Sequence, residues 1–235
     1  MPGLKQLLFT LAWLFTTFAG QAQQHSNAWF RGTLSHAVTP KLTVDAEWQH
    51  RRQNGWGNHD LLDKNLMFAF RGWVYYQYAP NLRLAVSPFA YFTNYKIIRK
   101  PADAYAQPVG EVRFSAAAEL QYPIIGRVSV LGRPALEYRS FSDAQANRLR
   151  QRNRLGFRYD LTQRLKFSVW DELLLNWGVP QGWCATDHNR AGFSGTYQFT
   201  EALKLELGYL HISRPQAGTC ALQEQNLVVN ITYNW

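Results

Sequence analysis

The stretch Arg148–Asp160, Arg-Leu-Arg-Gln-Arg-Asn-Arg-Leu-Gly-Phe-Arg-Tyr-Asp, decides the fold. Arginine occupies every second position from Arg148 to Arg154 and recurs at Arg158. Because a β-strand points alternate side chains to opposite faces, these guanidinium groups share one face. The other face carries Leu149, Leu155, Phe157, Tyr159 and Leu161. A soluble sandwich cannot bury such an unpaired charged face in its core. The pattern therefore indicates a surface strand or a barrel with a wet, charged lumen and an apolar exterior.

The N-terminus has the pattern of a secretory signal peptide. Lys5 precedes an apolar run from Leu7 to Phe18, and Gly20-Gln21-Ala22 supplies small residues for cleavage. We therefore expect residues 1–22 to be removed after export. Residues 23–235 are then expected to form one domain, since β-barrels of this length are commonly single domains.

Composition limits the class of protein. After the N-terminal run, no stretch approaches the ~18 apolar residues of a transmembrane helix, and the mean hydropathy is −0.33. Transmembrane barrels escape that test because half of each strand is polar. The formal net charge of +9 could suggest nucleic acid. Cations that alternate along strands of an exported chain, without a binding motif, argue against a nucleic-acid partner.

Alternating segments recur along the whole chain, from Trp29–Val38 to the last ten residues. Short turns are predicted near residues 40, 80, 124, 163 and 201. Longer loops are predicted at 53–63, 96–108, 142–147, 178–187 and 215–223. This layout predicts an all-β, antiparallel up-and-down transmembrane β-barrel of 10–12 strands, with short periplasmic turns and longer extracellular loops.

The strand count of this barrel stays open at the level of sequence. The segments number eleven, whereas single-chain bacterial barrels have an even number of strands. Either a short strand is missing from the count, or Trp29–Val38 lies inside the barrel.

In the segment 82–95, the expected outer face comprises Leu84, Val86, Ala90 and Phe92.

Aromatic residues near the strand ends match the interfacial belts of membrane barrels. The expected belt residues are Trp48, Tyr76, Tyr78, Tyr122, Tyr138, Tyr159, Trp177 and Phe199. The last strand alternates apolar residues and ends on Trp235, which is similar to the C-terminal signal read by barrel-assembly machinery. Outer-membrane lipid and that machinery are therefore expected partners, in the outer membrane of a Gram-negative bacterium.

Several short patterns resemble an outer-membrane β-barrel family catalogued as a domain of unknown function (2490). They are the early Trp29 strand, Leu136-Glu137-Tyr138-Arg139, Arg152-Asn153-Arg154, Asp171-Glu172 followed by Asn176, Asn189-Arg190, and Leu207-Gly208-Tyr209-Leu210. The resemblance covers nearly the whole mature chain. It implies a barrel in the outer membrane and no particular activity.

The polar faces together predict a cationic, salt-bridged lumen. Its expected charge network comprises Glu119, Glu137, Arg139, Arg150, Arg152, Arg154, Glu172, Arg190 and Glu206, accompanied by Glu47, Arg71, Arg83, Glu111, Arg113 and Arg133. Arginine–carboxylate forks are the natural pairing. Two roles follow from this network: a plug that braces the barrel, or a pore or pocket that prefers small anions.

An enzyme is the alternative. His211 and Ser213 share the lipid-facing side of one strand near its outer end, and the pair resembles outer-membrane lipid A deacylases, in which histidine activates serine. Glu224 could orient the histidine, although its parity points inward. The competing interpretation is a polar fringe where the strand leaves the bilayer. No catalytic residue is therefore assigned, and His211 and Ser213 are only candidates.

The remaining candidates are cysteines and paired loop residues. Cys184 and Cys220 both lie near glycine and proline, and in an oxidising compartment they could form a disulfide between two loops. His59-Asp60 and Asp187-His188 are expected to be solvated loop pairs rather than metal ligands. No cofactor or metal is predicted.

Overall fold

The computed structural model describes residues 24–179, 182–216 and 219–235. Over these ranges, eleven strands close into one barrel. They are β1 (Gln24–Ala37), β2 (Leu42–Gln53), β3 (Lys64–Ala79), β4 (Leu82–Asn94), β5 (Val109–Ile125), β6 (Val128–Phe141), β7 (Arg148–Asp160), β8 (Leu165–Val179), β9 (Gly182–Gln198), β10 (Leu203–Gln216) and β11 (Thr219–Asn234). The expected signal peptide and its cleavage site lie outside the described residues.

The barrel closes through one parallel pair of strands. Each strand pairs antiparallel with its neighbour in sequence, whereas β1 pairs with β11 in parallel, from Gln24 beside Gln223 to Ser35 beside Asn234. Strand direction alternates along a meander, so the first and eleventh strands run the same way and can join only in parallel. The odd count needs no missing strand, because the eleven strands of the described residues close the barrel by themselves. The Trp29 segment does not lie inside the barrel either, since it belongs to β1 in the wall.

The two ends of the barrel differ, as predicted. Short turns at 38–41, 80–81, 126–127, 161–164 and 199–202 form one end, which we call the turn end. Loops at 54–63, 95–108 and 142–147 lie at the other, the loop end, and the second of them contains a short 3-10 helix, η1 (Pro101–Tyr105).

The prediction of long loops at 178–187 and 215–223 is wrong. Most of those residues belong to strands and extend the β8–β9 and β10–β11 pairs. Glycine and proline there suggested loops. The register between β10 and β11 shifts between Arg214 and Gln216, so that Pro215 occupies an irregularity, and a strand tolerates proline at such a point.

The exterior of the barrel is apolar. Leu155 is 61% exposed, Tyr78 is 66% exposed and Trp235 is 66% exposed, and large apolar side chains are exposed on every strand. A contiguous apolar surface of this extent is what lipid covers in membrane barrels. Within the described residues, the structure contains no helix of the length and apolarity that crossing a membrane requires.

The outer face of β4 changes side at a β-bulge. Between Ser87 and Ala90, β4 has two residues opposite one on β5, and the extra residue reverses the alternation. Phe89 is therefore 49% exposed, whereas Ala90 and Phe92 are each 1% exposed inside the barrel. The expectation that Ala90 and Phe92 face lipid is wrong for this reason.

Candidate functional site: the arginine-lined lumen

The arginine face of β7 points into the lumen. Arg148, Arg150, Arg152 and Arg154 line one central cavity of about 710 Å³. On the opposite face of the same strand, Leu155 and Phe157 are exposed. The alternation of β7 thus separates a charged interior from an apolar exterior.

Glu137 on β6 neutralises two of these arginines. The carboxylate is 1% exposed. Arg150 is its register partner on β7 and donates Nε to it at 3.0 Å. Arg152 donates Nη1 to the other carboxylate oxygen at 2.9 Å. Arg71, on β3, approaches the same carboxylate from across the lumen at 3.8 Å.

Glu172 on β8 is the second such carboxylate and is fully buried. Its Oε1 accepts hydrogen bonds from Nε and Nη2 of Arg152 at 3.0 and 2.7 Å. Its Oε2 lies 3.4 Å from Arg154 and 3.5 Å from Arg190, the register partners of Glu172 on the flanking strands. One carboxylate therefore meets three guanidinium groups.

Asp187 links this group to a third carboxylate, Glu111 on β5. Glu111 accepts hydrogen bonds from Arg113 at 2.9 Å and from Arg139 at 3.1 Å. Asp187 lies 4.0 Å from Arg139 and 3.1 Å from Arg150. An unbroken chain of ion pairs thus runs from β5 to β9, and arginines outnumber carboxylates along it.

Asp187 and His188 are not a solvated loop pair. Both belong to β9. Leu174 of β8 pairs with His188 and Leu175 pairs with Thr186, so Asp187 is an extra residue on β9 without a register partner on β8. This bulge lets Asp187 line the lumen beside His188, which is 1% exposed. The local sequence did not reveal the bulge.

Glu119 and Glu206 lie apart from this chain. Glu119 pairs with Arg83 and with Arg133, at 2.9 and 3.0 Å. Glu206 accepts a hydrogen bond from Asn230 at 2.8 Å and lies 3.7 Å from Arg31. The structure therefore distributes the predicted charge network over three groups within one lumen.

The cavity is strongly cationic. Its lining includes fourteen arginine or lysine side chains and five acidic ones, Asp45, Glu47, Glu119, Asp187 and Glu206. Three of the lining cations, Arg51, Arg148 and Lys204, have no carboxylate within 4.0 Å in the described part of the chain. The lumen thus carries positive charge that its own acids do not neutralise.

Trp29, Arg51, Trp170 and His188 are among the cavity residues that were not expected from the sequence to line the lumen. Arg51 continues the inward parity of Asp45 and Glu47 along β2, which could have identified it. The guanidinium carbon of Arg51 lies 3.5 Å from the ring centroid of Trp29. An aromatic residue at an inward position gives no such signal, since it breaks the expected alternation.

His211 and Ser213 lie on the outer side of β10, opposite in parity to the buried Leu210 and Ile212. The Ser213 hydroxyl accepts a hydrogen bond from Gln223 at 3.1 Å. Glu224 is buried inside the barrel, where Asn27 donates to it at 3.0 Å. Across the described ranges, no hydrogen bond joins His211 to Ser213.

The side chains of Cys184 and Cys220 lie outside the described residues, so the disulfide stays a prediction. No group of three or more metal-ligating side chains comes together in the part of the chain that the structure describes.

Two solved structures resemble the chain at low identity. One is OmpT, an outer membrane protein of Vibrio cholerae folded in vitro, with 9% identity, a TM-score of 0.37, and coverage of 80% of this chain and 82% of that one. The other is a bacterial polysaccharide outer membrane secretin, with 12% identity, a TM-score of 0.41, and coverage of 84% and 77% respectively. No curated protein matches the chain. A family profile described as protein of unknown function (DUF2490) matches residues 26–223, and the chain belongs to that family.

Proposed function

We propose that the protein is an outer-membrane barrel whose cationic lumen binds or passes small anions. The observation that carries this proposal is the cavity of about 710 Å³ with fourteen cationic and five acidic lining residues. Charges of one sign in a cleft with low-dielectric walls concentrate ions of the opposite sign. Anions are therefore the ligands that this lumen favours.

The exterior supports a place in the outer membrane of a Gram-negative bacterium. An apolar surface surrounds a polar interior, which is the arrangement that lipid stabilises. β11 ends at the turn end, beside Trp235, which is 66% exposed. We assign the turn end to the periplasm, the loop end to the outside, and the last strand to recognition by barrel-assembly machinery.

In this proposal, the cations that pair with carboxylates and those that do not have different roles. Glu137 and Glu172 hold arginines of β7 and β9 against the wall. Buried carboxylates with several guanidinium partners brace that side of the barrel. The cations without a carboxylate, Arg148 and Lys204 among them, are left for a mobile anion.

Planar-bilayer conductance tests the passage of anions. Under a KCl gradient, we expect a reversal potential of the sign that reports chloride preference. Arg148→Gln combined with Lys204→Gln should reduce that preference. Arg158→Gln is the matched control, because Arg158 pairs with Asp160 and does not line the cavity. A closed barrel, or a preference for potassium, would overturn the proposal of an anion pore and leave the lumen as a braced plug or binding pocket.

The alternative, an outer-membrane lipid-modifying hydrolase, rests on the outward placement of His211 and Ser213. It predicts that expression alters lipid A or phospholipid acylation, and that Ser213→Ala abolishes the change. Mass spectrometry of extracted lipids decides it: acylation that does not differ among wild type, Ser213→Ala and an empty vector eliminates the hydrolase.

A further inference from the structure

An apolar strip interrupts the charged lumen. Trp29, Leu210 and Ile212 are buried together, and Trp170 and Val228 pack against them. These residues come from β1, β8, β10 and β11, and all except Ile212 line the cavity. A hydrated inorganic ion gains nothing from contact with an apolar surface of this kind.

The shape of the wall keeps Trp170 against the barrel. Its register partners on the two flanking strands are Gly156 and Gly192, both of which face the lumen. A Cβ at Gly192 would lie 2.5 Å from the indole ring, and one at Gly156 would lie 2.6 Å from Cβ of Trp170. Glycine on both sides therefore makes room for a large flat ring that remains half-buried and accessible from the cavity.

Guanidinium groups border this strip. Arg51 lies 3.5 Å from the ring centroid of Trp29, and Arg190 lies 5.7 Å from the same centroid. Arg154 lies 4.2 Å from the centroid of Trp170. Arg51 hydrogen-bonds to Gln49 at 3.0 Å and has no carboxylate within 4.0 Å among the described residues. An uncompensated cation thus adjoins apolar surface within one cavity.

We propose that the lumen binds an organic anion with a flat apolar body, such as an aromatic carboxylate or sulfonate. The proposal rests on the anion-binding lumen argued above and names its ligand class. Arg51 pairs with the anionic group, because a guanidinium fork matches a carboxylate. Leu210, Val228 and Trp170 cover the apolar body. A cavity of about 710 Å³ falls in the range that holds small organic ligands.

Calorimetric titration of the full-length barrel in a non-ionic detergent tests this proposal. The probes are 2-naphthoate, acetate, and the uncharged 2-naphthylmethanol. We expect 2-naphthoate to bind about tenfold tighter than acetate, because only naphthoate buries an apolar ring. We also expect it to bind tighter than 2-naphthylmethanol, which lacks the charge.

Two variants separate the roles of charge and strip. Arg51→Gln should weaken both naphthoate and acetate, and Arg158→Gln, outside the cavity, should weaken neither. Leu210→Ala should weaken naphthoate alone. Leu174→Ala is its control, since Leu174 is a fully buried leucine of β8 that does not line the cavity.

The outcomes distinguish this inference from the proposed function. Equal affinity for acetate and naphthoate, with both weakened by Arg51→Gln, would overturn the organic-anion ligand and retain the anion-binding lumen. Absence of binding for both anions to a folded barrel would overturn the two together. Naphthoate binding that is unaffected by Leu210→Ala would place the ligand elsewhere and also overturn the inference.

Discussion

The carboxylate of Glu172 accepts two hydrogen bonds from the guanidinium of Arg152, at 2.7 and 3.0 Å. Because this carboxylate is fully buried, Glu172→Ala would leave Arg154 and Arg190 without a carboxylate partner and Arg152 with Glu137 alone. Removing one partner of a buried ion pair costs about 3–5 kcal/mol. We expect the free energy of unfolding in lipid vesicles to fall by about that amount, measured by urea titration of tryptophan fluorescence.

Asp160→Ala is the control for Glu172→Ala. The Arg158–Asp160 pair lies near the turn end, with side chains 20% and 33% exposed, so its loss should cost less than about 1 kcal/mol. Equal destabilisation by the two substitutions would show that the buried network does not brace the barrel.

Gly192→Ala should disturb the wall beneath Trp170. Its Cβ would meet two atoms of the Trp170 ring at 2.5 Å, and overpacking of a filled interior costs about 1–3 kcal/mol. Near-UV circular dichroism should change along with stability. Gly32→Ala is the matched control, because nothing lies within 4 Å of a Cβ at that position. Identical spectra for wild type and both variants would contradict the close approach of Trp170 to β9.

Much of the wall followed from the sequence. The alternation of Arg148 to Arg154 against Leu155 and Phe157 depends only on neighbouring residues, so it predicted correctly which side of β7 is charged. The bulge in β4 could not be predicted in this way, since a single extra residue at Pro88–Phe89 reverses the sides of Ala90 and Phe92. The parallel β1–β11 seam joins residues at opposite ends of the chain.

The site was less predictable than the wall. Cross-strand partners such as Glu137 and Arg150 could be expected, because they lie on consecutive strands joined by a loop. The apolar strip could not, since Trp170 and Leu210 occupy inward positions that the alternation assigns to polar residues. Trp29 joins this strip only when the barrel closes and brings β1 beside β11.

The parallel seam predicts a specific cross-link. Leu34 on β1 is the register partner of Tyr233 on β11, and both side chains are exposed on the exterior. With Cys184 and Cys220 replaced by serine, Leu34→Cys and Tyr233→Cys should form a disulfide on mild oxidation. Mobility in non-reducing gels and mass spectrometry would detect it.

A displaced pair on the same two strands provides the control for this cross-link. Leu34→Cys with Leu227→Cys separates the thiols by six residues along β11, which is about 20 Å. This pair should not form the bond. Efficient cross-linking of the displaced pair, with none for Leu34 and Tyr233, would refute the closure.

The bulge in β4 predicts opposite environments for two nearby positions. A nitroxide attached at Phe89→Cys should contact lipid and show high accessibility to oxygen, because Phe89 is 49% exposed on the exterior. A nitroxide at Phe92→Cys should be shielded from lipid, since Phe92 lies inside beneath Arg113, 3.7 Å from its guanidinium carbon. Equal oxygen accessibility at the two positions would show that the alternation continues unbroken.

The loop at 95–108 is held by Asp103. Its carboxylate lies 2.8 Å from Nζ of Lys96 and accepts hydrogen bonds at 3.1 Å from the backbone N–H groups of Arg99 and Lys100. Arg99 in turn donates to Gln216, at the end of β10, at 3.0 Å. This loop, which connects β4 to β5, therefore reaches across the loop end of the barrel to β10.

The hydrogen bond from Lys96, with those from the two backbone groups, lowers the pKa of the Asp103 carboxyl below its ordinary value. A lowered pKa in the folded state stabilises the loop at pH values above the ordinary aspartate pKa of about 3.9. That stabilisation is lost as the pH falls through the lowered pKa. We expect the amide protons of Arg99 and Lys100 to lose protection from hydrogen exchange in acid, after correction for intrinsic exchange rates.

Asp103→Asn should reproduce that loss near neutral pH. The neutral amide cannot form an ion pair with Lys96, and its oxygen is a weaker acceptor than a carboxylate for the backbone N–H groups of Arg99 and Lys100. Asp143→Asn is the control: Asp143 accepts a hydrogen bond from Gln145 within the separate 142–147 loop, so Arg99 and Lys100 should remain protected. If the Asp103→Asn barrel kept wild-type protection at Arg99 and Lys100 at neutral pH, the carboxylate would not be what holds this loop across the loop end.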